Sequence, residues 1–524
     1  MKTLIKNLIF PLAVLLFTAS CHDDLDQSPI DPDSFTEENV FSNAEEAKSA
    51  LAKVYASFAL TGQEGPAGQA DISNIDEGFS QYTRMLFNLN ELTTDNAVVA
   101  WGDAGLQDLH GMYWTASNDF TDAMYNRLAQ TVSFANSFID NASSLSDDVV
   151  TEYIAEARFI RAFAYYNLID LYGDVPLITQ IETTLPSLST REEVFDFIET
   201  ELLDIQNSLA SSGSNEYGRV DEVAAWALLS KLYLNAEVWT GTARFEECVT
   251  FSENVINSSY IINTTDTNGN GTAYDELFLA DNDTNGAQNE FIFTANFDGL
   301  NSQTYGGSTF LIHAAIGGSM DASAFGVNGG WAGNRTTSAL VNKMDTGDQR
   351  AMFYTDGQNL EISDITSFND GYAITKFSNL DSQGNQGSDA SGNFADTDLP
   401  LIRLAEIYLN YAEATLRGTS GSNSTAVSLI NELRERAYGD TSGNISESDL
   451  TLDFILDERA RELYWEGQRR TDLVRYDYFT TNSYLWPFKG NTANGTAVSD
   501  FRNLFPIPSN TILSNPNLTQ NPGY

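Results

Sequence analysis

The stretch TEYIAEARFIRAFAYYNLIDLYGDVP at residues 151–176 decides the fold class of this chain. Its apolar residues recur three and four positions apart and so form one stripe along a helix. The residues of this stripe are Ala157, Ile160, Ala164, Leu168 and Leu171. Gly173 and Pro176 then predict the end of the helix, because neither residue type favours its continuation.

Two further segments predict helices that pair with a neighbour. In VDEVAAWALLSKLYLNAEVW at 220–239, four residues match the first-helix pattern W-x-x-L-G-x-x-Y of a tetratricopeptide repeat, with serine in place of glycine: Trp226, Leu229, Ser230 and Tyr233. The partner helix is predicted at 245–256. A second helix, turn and helix unit is predicted from 401–418 and 424–439, where leucines and tyrosines share one face.

The last helical segment, TLDFILDERARELYWEGQRRTDLVRY at 451–476, is predicted to form one helix. Asp457 and Arg461, like Glu466 and Arg470, are acid and base four residues apart. This spacing favours a solvated face of paired charges. Together the segments predict a mostly α-helical protein built on paired helices.

Long polar stretches separate these helices. Residues 263–345 and 380–398 are dense in Asn, Gly, Ser, Thr and Asp. Connections of this length are usually functional, so we expect a helical scaffold that carries a loop-rich binding region. Two segments, at 266–271 and 281–286, resemble calcium loops, but both lack the glutamate at position twelve and are interpreted as polar turns. No metal site is predicted.

The N-terminus has the layout of a secretory signal. Residues 1–20 carry two lysines, an apolar core and small residues at the end, and Cys21 follows. Cys21 resembles the lipidated cysteine of a bacterial lipoprotein, and the acidic run after it resembles a signal for the outer cell surface. The alternative is an ordinary signal peptide with an incidental cysteine. Residues 21–524 are predicted to form a single domain, with Cys248 as a small buried thiol.

Composition excludes several classes of function. Loss of the first 20 residues leaves 25 basic and 73 acidic residues, a formal charge of −48 that repels nucleic acid. The three histidines form no HExxH motif, and no phosphate-binding GxxxxGK[ST] loop occurs. We therefore predict no cofactor. Paired carboxylates remain possible among so many acidic residues, so a two-carboxylate glycoside hydrolase stays open.

Several blocks resemble the SusD/RagB family of outer-membrane glycan-binding lipoproteins. They are CHDDLDQ at 21–27, EARFIRAFAYYNLIDLYGDVPL at 156–177, LIRLAEIYLNYAEA at 401–414, DERARELYWEGQRRTDLVRY at 457–476 and the ending LFPIPSNTILSNPNLTQNPGY. The resemblance covers nearly all of the chain after residue 20. It implies four tetratricopeptide-like helix pairs, a loop-rich ligand region and no enzymatic activity.

The resemblance also implies a location and a partner. Family members are anchored in the outer membrane by an N-terminal lipid, face the cell exterior and capture oligosaccharides. They deliver these to a TonB-dependent transporter of the SusC type. A tetratricopeptide-like scaffold for protein interactions is the alternative that the helix pairs themselves leave open.

Candidate ligand residues follow from the chemistry of sugars, which present apolar C–H faces to aromatic rings and hydroxyls to polar side chains. Trp101 and Trp331 lie in glycine-rich loops and are the leading candidates. Polar residues near them in sequence are Asp95, Asn96, Asp103, Asn328 and Arg335. Tyr82, Tyr305, Trp114 and Trp486 are weaker candidates, whereas Trp226, Trp239 and Trp465 are predicted to be core residues. The negative charge favours a neutral glycan, and a β-glucan such as laminarin is the expected ligand.

Overall fold

A computed structural model describes residues 40–73, 75–181 and 183–524. Cys21 and the predicted signal at 1–20 lie outside the described residues. In chain order the helices are α1 Ala44–Ala56, α2 Tyr82–Asn90, α3 Gln107–His110, α4 Asp119–Ala142, α5 Asp148–Tyr172, α6 Arg191–Ile205, α7 Glu222–Leu234, α8 Ala236–Thr240, α9 Phe245–Ile256, α10 Gly307–Ala314, α11 Ser338–Val341, α12 Leu404–Arg417, α13 Asn423–Tyr438, α14 Leu452–Leu463, α15 Arg469–Arg475 and α16 Ser509–Ser514.

Eight of these helices pack in series and form the scaffold. Helix α4 packs on α5, α5 on α6, α6 on α7, α7 on α9, α9 on α12, and α12 on both α13 and α14. This confirms the mostly helical fold and the two predicted helix pairs, α7 with α9 and α12 with α13. No helix in the described part of the chain is both long and apolar enough to cross a bilayer.

Helix α5 ends at Tyr172, where Gly173 was predicted to end it. The Asp147 side chain accepts a hydrogen bond from the backbone N–H of Val149 at the start, where such N–H groups lack partners within the helix. Gly173 follows the last turn with φ +75°, a backbone conformation that glycine adopts at little cost. Most residues between these ends are buried, so α5 lies at the centre of the scaffold.

Short strands connect the scaffold to the loops. They form four antiparallel pairs: β1 Val98–Val99 with β5 Asn334–Arg335, β2 Val175–Pro176 with β3 Leu188–Ser189, β4 Phe291–Ala295 with β8 Leu399–Arg403, and β6 Phe353–Tyr354 with β7 Ala373–Ile374. Segment 380–398 contains no helix or strand, as predicted. Segment 263–345 is different from the prediction, because the buried strand β4 and the helices α10 and α11 interrupt it.

The prediction of one helix over 451–476 was wrong. Helix α14 ends at Leu463 and α15 begins at Arg469. Between them, Trp465 and Gly467 have left-handed backbone conformations, with φ of +65° and +76°. The turn lets Glu91 accept hydrogen bonds from the backbone N–H groups of Gly467 and Gln468, at 2.8 and 3.0 Å. Contacts with a residue more than 370 positions away in the sequence therefore override the local helical periodicity.

The prediction of a solvated charged face on this segment was also wrong. Glu462 is fully buried and accepts hydrogen bonds from the guanidinium groups of Arg350, Arg403 and Arg436. Burial opposes ionisation, but the three guanidinium groups lower the pKa of Glu462 well below its usual range. The expected local partners do not pair: Glu466 binds Arg403 and Lys376, and Arg470 binds Asp170. Charged side chains from segments distant in sequence surround Glu462, Glu466 and Arg470 in place of water.

The remaining core predictions concern tryptophan and cysteine. Trp239 and Trp465 are buried as predicted, and Trp226 is half-buried with its ring N–H donating to Gln206 at 3.0 Å. The Cys248 thiol is buried as predicted, and burial raises its pKa to about 12. In the segment that resembles a calcium loop, the Asp266 carboxylate accepts the backbone N–H groups of residues 269–271. That segment therefore forms a polar turn.

Candidate functional site

Three segments that are distant in sequence bring Trp101, Tyr305 and Trp331 together, and we call these residues the aromatic cluster. The ring centroids of Trp101 and Trp331 are 6.4 Å apart with 43° between their planes. The rings of Tyr305 and Trp331 are 6.2 Å apart with 56° between their planes. Tyr305 is 39% exposed, and both tryptophans are half-buried. The cluster thus presents three tilted rings at the surface.

Helix α10 and its C-terminal end support Trp331. The His313 ring stacks on Trp331, with centroids 4.8 Å apart and 16° between the planes. The backbone N–H of Trp331 donates to the His313 carbonyl at 2.7 Å, that of Ala332 to the Ile316 carbonyl at 2.8 Å and that of Gly333 to the Ala314 carbonyl at 2.9 Å. These bonds hold the loop at Trp331 against the C-terminal end of α10 and the residues that follow it. Because one face of Trp331 is covered by His313, only the opposite face is available to a ligand.

The pairing of β1 with β5 positions Trp101. The backbone N–H of Ala100 donates to the carbonyl of Gly333 at 2.9 Å, and the Trp101 ring N–H donates to the carbonyl of Trp331 at 2.9 Å. Gly333 lies so close to the indole that a Cβ there would come within 2.3 Å of it. Glycine is therefore required for this approach of the two tryptophans.

Arg84 links Tyr305 to the rest of the cluster. Its side chain donates to the Tyr305 carbonyl at 3.0 Å, and its guanidinium lies over the rings of Phe79 and Phe310, at 3.8 and 4.3 Å from their centroids. Burial among these rings lowers its pKa to about 9. Sequence reasoning did not identify Arg84 as a supporting residue, because Tyr305 is 221 residues away from it.

Two exposed polar residues are connected to the aromatic cluster through neighbouring residues. Asp103 is exposed, two positions after Trp101, and its charge acts on Arg84. Asn328 is exposed and donates to the Asn393 side chain at 2.6 Å. The carbonyl of Asn393 contacts the His313 ring at 3.1 Å, which connects this amide pair to Trp331. Two predicted polar residues are therefore linked to the cluster through other residues, Asp103 through Arg84 and Asn328 through Asn393.

Two other predicted residues, Asp95 and Asn96, are buried and bind elsewhere. Both Asp95 oxygens pair with Arg469 at 2.7 Å, and Tyr484 donates to the same carboxylate at 2.6 Å. Burial opposes its ionisation, but Arg469 lowers the pKa of Asp95 to about 2. The backbone carbonyl of Asn96 accepts the Trp465 ring N–H at 3.1 Å. These contacts hold the loop on the scaffold, so we do not include Asp95 and Asn96 in the site.

Arg335 and Tyr82 are buried as well. The Arg335 guanidinium donates to the backbone carbonyls of Gly333, Ile365 and Asp370, at 2.8 to 3.1 Å. Tyr82 begins helix α2 and its hydroxyl donates to Asn167 at 3.3 Å. Arg335 thus holds the loop behind Trp331, and Tyr82 belongs to the core. Trp114 and Trp486 are also buried.

This arrangement favours stacking on flat apolar faces along a curved path. Successive rings are tilted by 43° and 56°, so one ligand that contacts all three must bend. Pyranose rings have suitable apolar faces, and the carboxylate and amides nearby can accept and donate hydrogen bonds to hydroxyls. An α-1,4-linked or β-1,3-linked glucan curves in this way, whereas a β-1,4-linked glucan is a flat ribbon.

Comparison with known proteins identifies the family. The chain is 34% identical to the starch-binding protein SusD of Bacteroides thetaiotaomicron over 580 aligned positions, which cover 100% of both chains. The chain belongs to the SusD family. The SusD family model matches residues 293–524, which include Tyr305 and Trp331. A second model, described as starch-binding associating with outer membrane, matches residues 68–234, which include Trp101.

Solved structures of SusD-like proteins have the same fold. A SusD homologue from Bacteroides thetaiotaomicron has a TM-score of 0.73 at 20% identity, with 93% of this chain and 98% of that chain covered. A laminarin-binding SusD-like protein has a TM-score of 0.68 at 21% identity, with 92% and 100% covered. The helical scaffold of the SusD family is therefore retained at low sequence identity.

Proposed function

We propose that this SusD-family protein binds a neutral glucan on its aromatic cluster, as a non-catalytic capture protein at the cell surface. The observation that carries the proposal is the convergence of Trp101, Tyr305 and Trp331 into one cluster of partly exposed rings, tilted by 43° and 56° to one another. Each ring has its own support from the fold, so the surface exists before a ligand arrives. A preformed site avoids part of the entropy cost of binding.

For the ligand we propose an α-1,4-glucan of the starch type. The tilt between successive rings suits a curved chain, and the relative at 34% identity is a starch-binding protein. Laminarin, the β-1,3-glucan expected from the sequence, curves as well and stays a prediction. A polyanion is disfavoured, because the formal charge of the whole chain is −46.

A panel of polysaccharides in affinity gels tests the proposal. Amylopectin should retard the protein, and laminarin tests the alternative that the ligand is a β-1,3-glucan. Hydroxyethyl cellulose, with a flat β-1,4 backbone, and the polyanion alginate should leave its mobility unchanged. Retardation by laminarin but not by amylopectin would show that the ligand is a β-1,3-glucan and not an α-1,4-glucan. Mobility unchanged in every gel would contradict glucan binding itself.

Replacement of His313 tests whether the support of Trp331 matters for binding. His313→Ala removes the ring stacked beneath Trp331, and such ring pairs contribute about 0.5 to 1.5 kcal/mol. We expect the affinity for the retained glucan to fall about two- to tenfold in calorimetry. His313→Phe keeps a ring in place and should retain most of the affinity. Equal losses in the two variants would show that stacking is not the cause.

We propose that a lipid on Cys21 anchors the protein in the outer membrane. The layout of residues 1–21 supports this, and the match to a family model described as associating with outer membrane agrees with it. Acyl chains contribute about 0.8 kcal/mol per buried methylene, so a lipidated N-terminus holds a domain at a membrane. Cys21→Ala should move the protein from the membrane fraction to the soluble fraction with the same melting curve. Unchanged membrane retention would contradict the lipid anchor.

We further propose delivery of the captured glycan to a SusC-like TonB-dependent transporter. Family membership supports this partnership, and co-purification of the tagged protein from detergent-solubilised membranes tests it. The hydrolase alternative is tested in the same preparations by reducing-end analysis of bound glucan. Intact glucan after prolonged incubation agrees with capture, and shortened products would replace it with hydrolysis. Retention of a protein partner without glucan binding would favour the alternative of an interaction scaffold.

A further inference from the structure

A second exposed aromatic residue, Tyr217, lies in the connection between helices α6 and α7. Its side chain is 39% exposed, the same fraction as Tyr305 in the aromatic cluster. In the described part of the chain no other aromatic ring packs against it. Burial of its hydroxyl and the nearby carboxyl group of Asp398 raise the pKa of Tyr217 well above its usual range. The ring is therefore exposed on its side, while its hydroxyl end lies inward.

The turn that presents Tyr217 is braced on both sides. Gly218 has φ +82°, and a Cβ there would come within 2.5 Å of the Asn296 side chain, so the turn requires glycine. The next residue, Arg219, pairs with the buried Glu156, and Tyr55 donates to the same carboxylate at 2.6 Å. Asn215 donates to the carbonyl of Val220 at 2.8 Å. These contacts fix the loop before any ligand binds.

Two cavities flank this turn, and both include Tyr217 in their walls. One has a volume of about 320 Å³, with polar walls that include Asn215, Tyr260, Gln288 and Asn289. The other, of about 330 Å³, is more apolar and is lined in part by Lys48, Tyr55, Asn296 and Ser302. Ligand pockets begin at about 300 Å³, so each is large enough for a small polar molecule.

Three of the charged groups at these cavities are paired with one another, and the fourth, Asp221, is buried and accepts hydrogen bonds from the Tyr260 hydroxyl and the Gly213 backbone. Glu216 pairs with Lys48 at 2.7 Å and with Arg219 at 3.3 Å. An incoming anion or cation would have to displace one of these partners, whereas a neutral ligand would not. Amides, hydroxyls and one open aromatic ring form the same set of groups that suits a pyranose.

Tyr217 and the aromatic cluster share one supporting segment, residues 394–398. Phe394 packs against Tyr305 with ring centroids 5.2 Å apart. At the other end of the segment, Asp398 adds to the burial that raises the pKa of the Tyr217 hydroxyl, so its carboxyl group lies near that hydroxyl. Four residue steps span at most about 15 Å even when fully extended, so Phe394 and Asp398 are within a distance that one long glycan chain can span.

We propose that Tyr217 and the two cavities beside it form a second saccharide-binding site. This inference rests on the proposed function, because it takes the same class of ligand. A long glucan that occupies both sites would bind as a bivalent ligand, with a gain in affinity that a short oligosaccharide lacks.

The test uses the full protein with both tryptophans of the aromatic cluster replaced, Trp101→Ala and Trp331→Ala. The probe is maltoheptaose, or laminarihexaose if the polysaccharide panel selects laminarin. We expect weak residual binding in calorimetry or ligand-observed NMR. Adding Tyr217→Ala should lower that residual affinity about two- to tenfold, because a stacking ring is lost.

Two control variants in the same background make the result specific. Tyr217→Phe keeps the ring and should keep the residual affinity. Tyr113→Ala removes another tyrosine of equal exposure, 40%, and should have no effect. Absence of residual binding, or residual binding that Tyr217→Ala leaves unchanged, would overturn the second site alone. If the native protein binds neither oligosaccharide, the proposed function itself fails.

Discussion

Simultaneous replacement of Trp101 and Trp331 by alanine should weaken glucan binding about a hundredfold, while the protein remains folded. In the proposed site each ring stacks on a sugar through one face, and the loss of such a contact costs about 0.5 to 1.5 kcal/mol beyond the area it buries. Each single replacement should therefore reduce the affinity about tenfold. The hundredfold loss is the sum of the two single losses, and because the two rings are in contact, with centroids 6.4 Å apart, any departure from it measures the coupling between them.

A matched tryptophan elsewhere provides the control for this result. Trp226 on α7 is also half-buried and also uses its ring N–H in a hydrogen bond, here to Gln206. Trp226→Ala should leave the affinity for glucan unchanged. Calorimetry with the selected oligosaccharide and melting curves of each variant decide the matter. Native affinity in the double variant would remove both residues from the site.

Replacement of Trp465 by alanine should lower the free energy of unfolding by about 3 to 5 kcal/mol, the range for a large aromatic side chain in a core. Trp465 is 2% exposed and packs edge-on against Phe87 with centroids 5.0 Å apart. Its ring N–H also donates to the carbonyl of Asn96, in the loop that leads to Trp101. Denaturant unfolding monitored by circular dichroism measures the loss.

Trp226→Ala again serves as the comparison. Because the Trp226 ring is only half-buried, its loss should lower the free energy of unfolding by clearly less than the loss of Trp465. Trp465→Phe keeps an aromatic ring beside Phe87, so its free energy of unfolding should lie between those of the native protein and Trp465→Ala. If Trp465→Ala unfolds at the same denaturant concentration as the native protein but no longer binds glucan, Trp465 acts in the site and not in the core.

Helix periodicity predicted the scaffold well, because it depends on contacts between residues three or four apart. Helix α5 and the pairs α7 with α9 and α12 with α13 follow directly from this spacing. The segment around Trp465 did not follow it, because its backbone is held by Glu91, more than 370 residues away. Its charges were misread for the same reason: the partners of Glu462 come from three distant segments.

For the site, glycine-rich sequence around Trp101 and Trp331 was the informative signal. It indicates loops, and the structure brings these two residues into one cluster with Tyr305. Closeness in sequence was a poor guide to the polar residues, since Asp95, Asn96 and Arg335 turn inward to hold the loops. Arg84 and His313 had no local signal, because their roles depend on rings and carbonyls that only the folded chain brings near.

A crystal structure of the protein with maltoheptaose would show where the glucan binds. We expect successive glucosyl rings of one curved chain to stack on Trp101, Trp331 and Tyr305, on the face of Trp331 opposite His313. Hydroxyl groups of the same chain should reach Asp103 or Asn328. An oligosaccharide bound elsewhere, with these three rings uncovered, would show that the aromatic cluster is not the glucan-binding site.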